Sequence, residues 1–130
     1  MKDYRILLVD DEDEFVDTLA ERLQLRGYHA ETVEDGEKAL RIMEENCPDL
    51  VVLDLKMPGL GGMEVLREIK KQGYKIPVIL LTGHGSTKEG IEGMKLGAYD
   101  YLIKPIDIDE LIEKMNEAMT SVRQTGAGDE

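Results

Sequence analysis

Cysteine occurs once in this chain, at Cys47. No intrachain disulfide can form, so the fold must rest on its core, and a reducing cytoplasm is the expected compartment. With no second ligand or redox partner beside it, the Cys47 thiol reads as chemically bland. Basic residues are also scarce, 16 Lys and Arg against 28 Asp and Glu, for a net charge of −12. A chain so acidic is repelled by nucleic-acid phosphates and by anionic membrane surfaces, which argues against direct DNA contact and against membrane association. A metal cation or a basic partner surface fits that charge. Long hydrophobic runs are missing too: no apolar stretch approaches the ~20 residues of a membrane span. Repeats and low-complexity segments are absent, and no secretory leader is expected, because Met1-Lys2-Asp3 leads straight into a strand pattern.

What is present is a regular alternation of short apolar runs with helical patterns. At 130 residues the chain is long enough for one domain with a substantial core. Strands are expected at about 4–9, 29–33, 49–54, 77–82 and 101–103, and helices at about 12–26, 36–46, 62–72, 87–96 and 108–123. Phe15, Val16, Leu19 and Leu23 form a helical stripe that Gly27 stops, and Cys47-Pro48 breaks the second helix. Gly90 and Gly93 weaken the fourth helix by roughly 1 kcal/mol each against alanine, through close packing or because that helix moves. Residues 124–130 are small and polar and read as a flexible tail or the start of a linker after a domain at 1–123. Five βα units in series predict a parallel sheet with helices on both faces. The first, third and fourth runs are continuously apolar, as central strands should be. The second, His29-Ala30-Glu31-Thr32-Val33, and the fifth are mixed and suit the edges. The order 2-1-3-4-5 satisfies that pattern.

Each central run ends in a polar group. Ile6-Leu7-Leu8-Val9 ends in Asp10-Asp11, Leu50-Val51-Val52-Leu53 in Asp54, Val78-Ile79-Leu80-Leu81 in Thr82, and Tyr101-Leu102-Ile103 in Lys104-Pro105. In a parallel sheet these ends lie side by side, where open α/β sheets bind ligands. Two carboxylates ~4 Å apart repel by about 4 kcal/mol at an effective dielectric of 20, so a cluster of three calls for a cation. All-oxygen ligands favour a hard ion, and Mg²⁺ is the natural candidate. Glu12, Asp13 and Glu14 read only as a first helical turn favoured by the helix dipole. Metal, lysine and hydroxyl together make a cradle for phosphoryl oxygens, and a carboxylate nucleophile beside it is the setting for an aspartyl-phosphate.

These motifs resemble the receiver domain of bacterial two-component response regulators. The residues that carry the likeness are Asp10-Asp11, Asp54 with Met57-Pro58-Gly59, Thr82-Gly83, and the stretch Gly97-Ala98-Tyr99-Asp100-Tyr101-Leu102-Ile103-Lys104-Pro105. It covers about residues 3–122, and the last stretch is similar to receivers of the NtrC-type group. The resemblance implies a flavodoxin-like doubly wound (βα)5 sandwich in the same strand order. It implies that Asp54 is the phosphoacceptor, served by a sensor histidine kinase or a histidine phosphotransfer protein. Asp11, Asp54 and the backbone carbonyl of Lys56 would ligate Mg²⁺, for which Mn²⁺ can substitute, with Asp10 acting through water. Lys104 and Thr82 would hold the phosphoryl oxygens. Tyr101 would be the switch aromatic, and the Lys104-Pro105 bond would be cis. The output surface would be the last strand with its two flanking helices, which would face an output domain, a partner protein or a second copy. The domain would be no metabolic enzyme, catalysing only its own phosphotransfer and slow autodephosphorylation.

Some positions depart from the family pattern. Gly61-Gly62 opens the third helix with a poorer cap than Asp or Ser. Lys56 and His84, each two residues past a site residue, leave the phosphoryl lifetime open. Two rival classes fit less well. A haloacid-dehalogenase-like phosphatase carries its nucleophile after the first strand with a second Asp two residues on, and here that place after Asp54 is Lys56. A flavodoxin-type flavin binder needs a phosphate cradle in the first loop, where Asp10-Asp11 would repel phosphate. A receiver-like module that is never phosphorylated would not need the complete residue set.

Overall fold

In a computed structural model the chain is described over residues 4–57, 59, 61–83 and 87–129. The apolar runs become strands because a strand covered on both faces can bury every side chain. β3 (Leu50–Asp54) and β4 (Val78–Thr82) are buried along their whole length, and β1 (Arg5–Val9) is buried from Ile6 onward. β2 (His29–Val33) and β5 (Asp100–Ile103) carry exposed or half-exposed residues. The sheet has five strands in the order β2-β1-β3-β4-β5, all parallel, with the two mixed strands at its edges.

Alternating strand residues point to opposite faces, and this divides the core in two. Ile6, Leu8, Val52, Ile79, Leu81 and Leu102 face α1 (Asp13–Leu25) and α5 (Ile108–Asp129), packing on Val16, Leu19, Leu23, Leu111 and Met115. Leu7, Val9, Val51, Leu53, Val78 and Leu80 face the other way, toward α2 (Gly36–Asn46) and α3 (Gly62–Lys71), where Ala39, Met43, Val65, Leu66 and Ile69 meet them. α4 (Thr87–Lys95) completes the α2–α3 side against β4 and β5. Asp35 caps α2 by accepting from the Lys38 N–H at 2.8 Å. Gly97, at φ +107°, turns the chain from α4 into β5.

The glycines of the third and fourth helices serve close approach. A Cβ on Gly62 would overlap the backbone carbonyl oxygen of Asp54, so α3 starts hard against the end of β3. Its cap residue, Gly61, makes no side-chain cap bond. In α4, a Cβ on Gly90 would come within 2.8 Å of the Tyr101 ring, and one on Gly93 would overlap Leu80. Packing against β4 and β5 therefore accounts for both interior glycines. Helix α5 is longer than its residue pattern suggests: its backbone continues through Gln124-Thr125-Gly126-Ala127-Gly128 to Asp129, past the expected end near Arg123. A helix already nucleated over four turns extends at little cost through poorer formers.

Candidate functional site

Register decides what meets at the carboxyl edge of the sheet. β1 delivers Asp10 just past Val9, β3 ends on Asp54, and β4 ends on Thr82 one residue beyond Leu81, the partner of Asp54. Neighbouring strands are ~4.8 Å apart, so the three side chains share one cleft. All three are buried, and they are the buried polar side chains among the described residues. β5 continues into Lys104, whose backbone N–H donates to the Thr82 carbonyl at 2.8 Å. The Lys104-Pro105 peptide is cis, as expected.

Lys104 reaches across the cleft. Its Nζ lies 3.0 Å from Asp10 Oδ2, 2.5 Å from Glu12 Oε1 and 3.7 Å from Asp54 Oδ1. The Phe15 ring centroid is 4.6 Å from the same nitrogen, near enough for a cation–π contact. Burial lowers the proton affinity of Lys104, but hydrogen bonds to Glu12 and then Asp10 outweigh it, so its pKa stands above the ordinary lysine value. Asp54 is pushed up to about 6, first by burial and then by the charge of Asp10, with Lys104 and the Lys56 N–H opposing. The Lys56 N–H donates to Asp54 Oδ1 at 3.3 Å, and the Glu12 N–H donates to Asp10 Oδ1 at 2.9 Å. The Thr82 hydroxyl donates sideways to the Leu102 carbonyl at 3.4 Å.

Of the residues expected from sequence, the structure gathers Asp10, Asp54, Thr82 and Lys104. Asp11 lies exposed beside the cleft, and the Lys56 side chain is exposed. Tyr101 is half-buried, one residue into β5, with its ring on Gly90 of α4. His84 and Pro58 lie outside the described residues. The residue missed is Glu12. Asp10, Glu12 and Asp54 each offer a carboxylate oxygen within 4.8 Å of the others, whereas Asp11 is not among that set. In sequence, Glu12 is one more acid in a run of five. Its contact with Lys104, 92 residues away, exists only in the fold.

The donor set suits a hard divalent cation: every ligand atom is a carboxylate oxygen. Lys104 is the one cation among these carboxylates in the described site, and the Asp54 pKa stays raised, by burial first and then by the Asp10 charge, despite it. A cation would relieve that deficit.

Two buried carboxylates, Asp10 and Asp54, with a lysine beside them at the carboxyl edge of a parallel α/β sheet form the layout of a phosphoacceptor switch domain. Residues 6–116 match the response regulator receiver domain model, and the chain belongs to that family. It is 41% identical over 111 residues to the response regulator MprA of Mycobacterium sp. (strain KMS), covering 85% of this chain and 48% of that protein. It is 37% identical over 107 residues to the regulatory protein AtoC of Escherichia coli (strain K12), covering 82% of this chain and 23% of that one. Among solved structures, NtrX from Brucella abortus superposes with a TM-score of 0.92 at 34% identity, over 99% of this chain and 29% of that chain. The chain thus spans about half the length of MprA and a smaller share of the other two. Receiver domains are the phosphoacceptor modules of two-component signalling, and the five-stranded 2-1-3-4-5 sheet agrees with the expected flavodoxin-like fold. No helix among the described residues is long and apolar enough to cross a membrane.

Proposed function

We propose that this chain accepts a phosphoryl group on Asp54 from a phosphohistidine of a sensor kinase or a histidine phosphotransfer protein. The observation that carries this reading is the Asp54 carboxylate itself. It is buried, raised in pKa by that burial and then by Asp10, and 3.7 Å from Lys104 at the carboxyl edge of a parallel sheet. One Asp54 oxygen attacks phosphorus, the P–N bond to the imidazole breaks with its electron pair leaving to nitrogen, and an acyl phosphate results. Hydrolysis of that acyl phosphate by water returns the carboxylate, at a rate that Lys56 and His84 tune.

A Mg²⁺ ion, or Mn²⁺ in its place, supplies charge neutralisation on the phosphoryl oxygens when bound. Asp54, Asp11 and the Lys56 carbonyl would hold it, with Asp10 through water; Asp11 would have to turn inward from its exposed position. Lys104 binds a second phosphoryl oxygen and the Thr82 hydroxyl a third. To do so, Thr82 must give up Leu102, and that movement vacates space for Tyr101 to turn inward. The phosphoryl group thereby biases a two-state surface.

That surface is formed by α4, β5 and α5. Ile91, Met94 and Ile103 stand exposed on the first two of these elements, an apolar face suited to an output segment or a second copy. Beside the site, a groove of about 360 Å³ lined by Phe15, Leu19, Ile106 and Ile108 suits a helix carrying the donor histidine. In this reading the domain works in the cytoplasm, its output is transcriptional, as the name of the regulatory protein AtoC suggests, and residues 124–130 lead toward the output segment. Incubation with a small acyl phosphate and Mg²⁺, read by intact mass and peptide mapping, is the test. One phosphoryl group on Asp54 is expected; no mass gain, or a gain elsewhere, overturns the proposal.

A further inference from the structure

The ammonium that serves the acceptor lies nearest to other groups. Lys104 Nζ is 2.5 Å from Glu12 Oε1 and 3.0 Å from Asp10 Oδ2, but 3.7 Å from Asp54 Oδ1. The Phe15 ring, from the first turn of α1, lies under it with its centroid at 4.6 Å. Three of its four neighbours therefore come from the β1–α1 junction. Glu12 is the N-cap residue of α1, yet its side chain makes no cap bond. The local capping role falls to Asp10, which accepts the Glu12 N–H at 2.9 Å. The Glu12 carboxylate is thus spared for Lys104, although it is largely exposed and has open solvent around it.

We infer that Glu12 is a positioning residue that parks Lys104 at the β1–α1 junction and sets how readily that lysine turns to an incoming phosphoryl group. The inference rests on the phosphoacceptor reading and deepens it. A phosphoryl group on Asp54 needs Lys104 to swing from Glu12 toward the β3 end, so the Glu12 contact is a cost of every transfer. Glu12 does not touch the reacting atoms; it acts through Lys104. Because the pair is half in solvent, its hold is weak and its effect is on rate, not on whether transfer occurs.

The test compares the 130-residue chain with Glu12→Gln and Asp13→Asn. Each variant removes one negative charge from the same helical turn, but only Glu12 contacts Lys104. Labelling by a small acyl phosphate in Mg²⁺ is followed by mass. In parallel, acylation of Lys104 by an amine-selective reagent is measured against an exposed lysine such as Lys71. Glu12→Gln is expected to speed labelling by roughly two- to fivefold, the range of an exposed ion pair, and to raise Lys104 acylation. Asp13→Asn should leave both near the parental values. If the parent is labelled but Glu12→Gln matches it, or Asp13→Asn speeds labelling equally, the inference falls and the phosphoacceptor reading stands. If the parent is not labelled, both fall.

Discussion

Asp10 and Lys104, 94 residues apart, form an ion pair at 3.0 Å in which the carboxylate is almost wholly buried and the lysine half-buried. That pair holds the end of β1 to the end of β5's extension across the carboxyl edge of the sheet. Removing Lys104 leaves two buried carboxylates facing each other. Lys104→Met should therefore destabilise the metal-free protein at pH 7 by about 1–3 kcal/mol, since Lys104 is not fully dry. Urea unfolding checks this. The loss should shrink near pH 5, where Asp54 takes up a proton, and in excess Mg²⁺.

Asp54 ties stability to pH. Its pKa in the folded chain is about 6, against 3.8 for the unperturbed group, because of burial and then Asp10. Between those values the folded state binds more protons than the unfolded state, so stability falls as pH rises through that window. The penalty is absent below the lower value and complete above the upper. After discounting for solvent screening it is on the order of 1–2 kcal/mol. Asp54→Asn removes the titrating group. The variant should be more stable than the parent at pH 7.5 without metal, should lose that advantage near pH 4, and should not be labelled. Thermal scans across pH in chelator decide the matter, and an equal pH slope in both proteins would contradict the electrostatic account.

Divalent cation should stabilise the parent. An ion that binds only the folded chain adds RT ln(1 + [L]/Kd), about 2.7 kcal/mol at a concentration of 100 Kd. Mg²⁺ should raise the melting temperature of the parent in a saturable way, and much less in Asp54→Asn, which has lost one ligand charge. A parent that melts identically in Mg²⁺ and in chelator would remove the cation from the proposed function.

Helix α3 begins where no side chain fits. Gly62→Ala adds a Cβ that collides with the Asp54 carbonyl oxygen, a backbone atom that cannot move aside cheaply. Overpacking of this kind costs about 1–3 kcal/mol, more than the better helix propensity of alanine returns. The variant should unfold at lower denaturant than the parent and accept phosphoryl more slowly, because the acceptor strand shifts.

Gly90 bears on the proposed switch. Alanine there would stand within 2.8 Å of the Tyr101 ring and force the ring to move. Gly90→Ala should shift the Tyr101 ring resonances in the unphosphorylated protein while leaving labelling of Asp54 close to parental. Unchanged ring resonances would show that the ring does not rest on that helix.

Much of this was legible in one dimension. Val51, Val52 and Leu53 announce a strand buried on both faces, and His29-Ala30-Glu31 announces an edge, because burial demands apolar atoms wherever water is excluded. The convergence of Asp10, Asp54, Thr82 and Lys104 followed once the strands were taken as parallel, since parallel strands bring their carboxyl ends together; Asp11, expected with them, lies exposed, and Glu12 stands in the carboxylate cluster instead. Less was legible where the signal was weak or redundant. The six residues of α5 beyond Arg123 carry no apolar stripe, and their helicity comes from continuation of the turns before them.

By itself the sequence determined which residues had to be inside, which strands had to be central, and which polar groups had to reach one edge. Those follow from periodicity and from the cost of burying what cannot be paired. The tertiary structure alone decided that Glu12 and not Asp11 meets Lys104, that Gly62 has no room for a Cβ, and that the glycines of α4 seat Tyr101 and Leu80. Side-chain direction and contacts at van der Waals distance depend on atoms tens of residues away, and no local pattern encodes them.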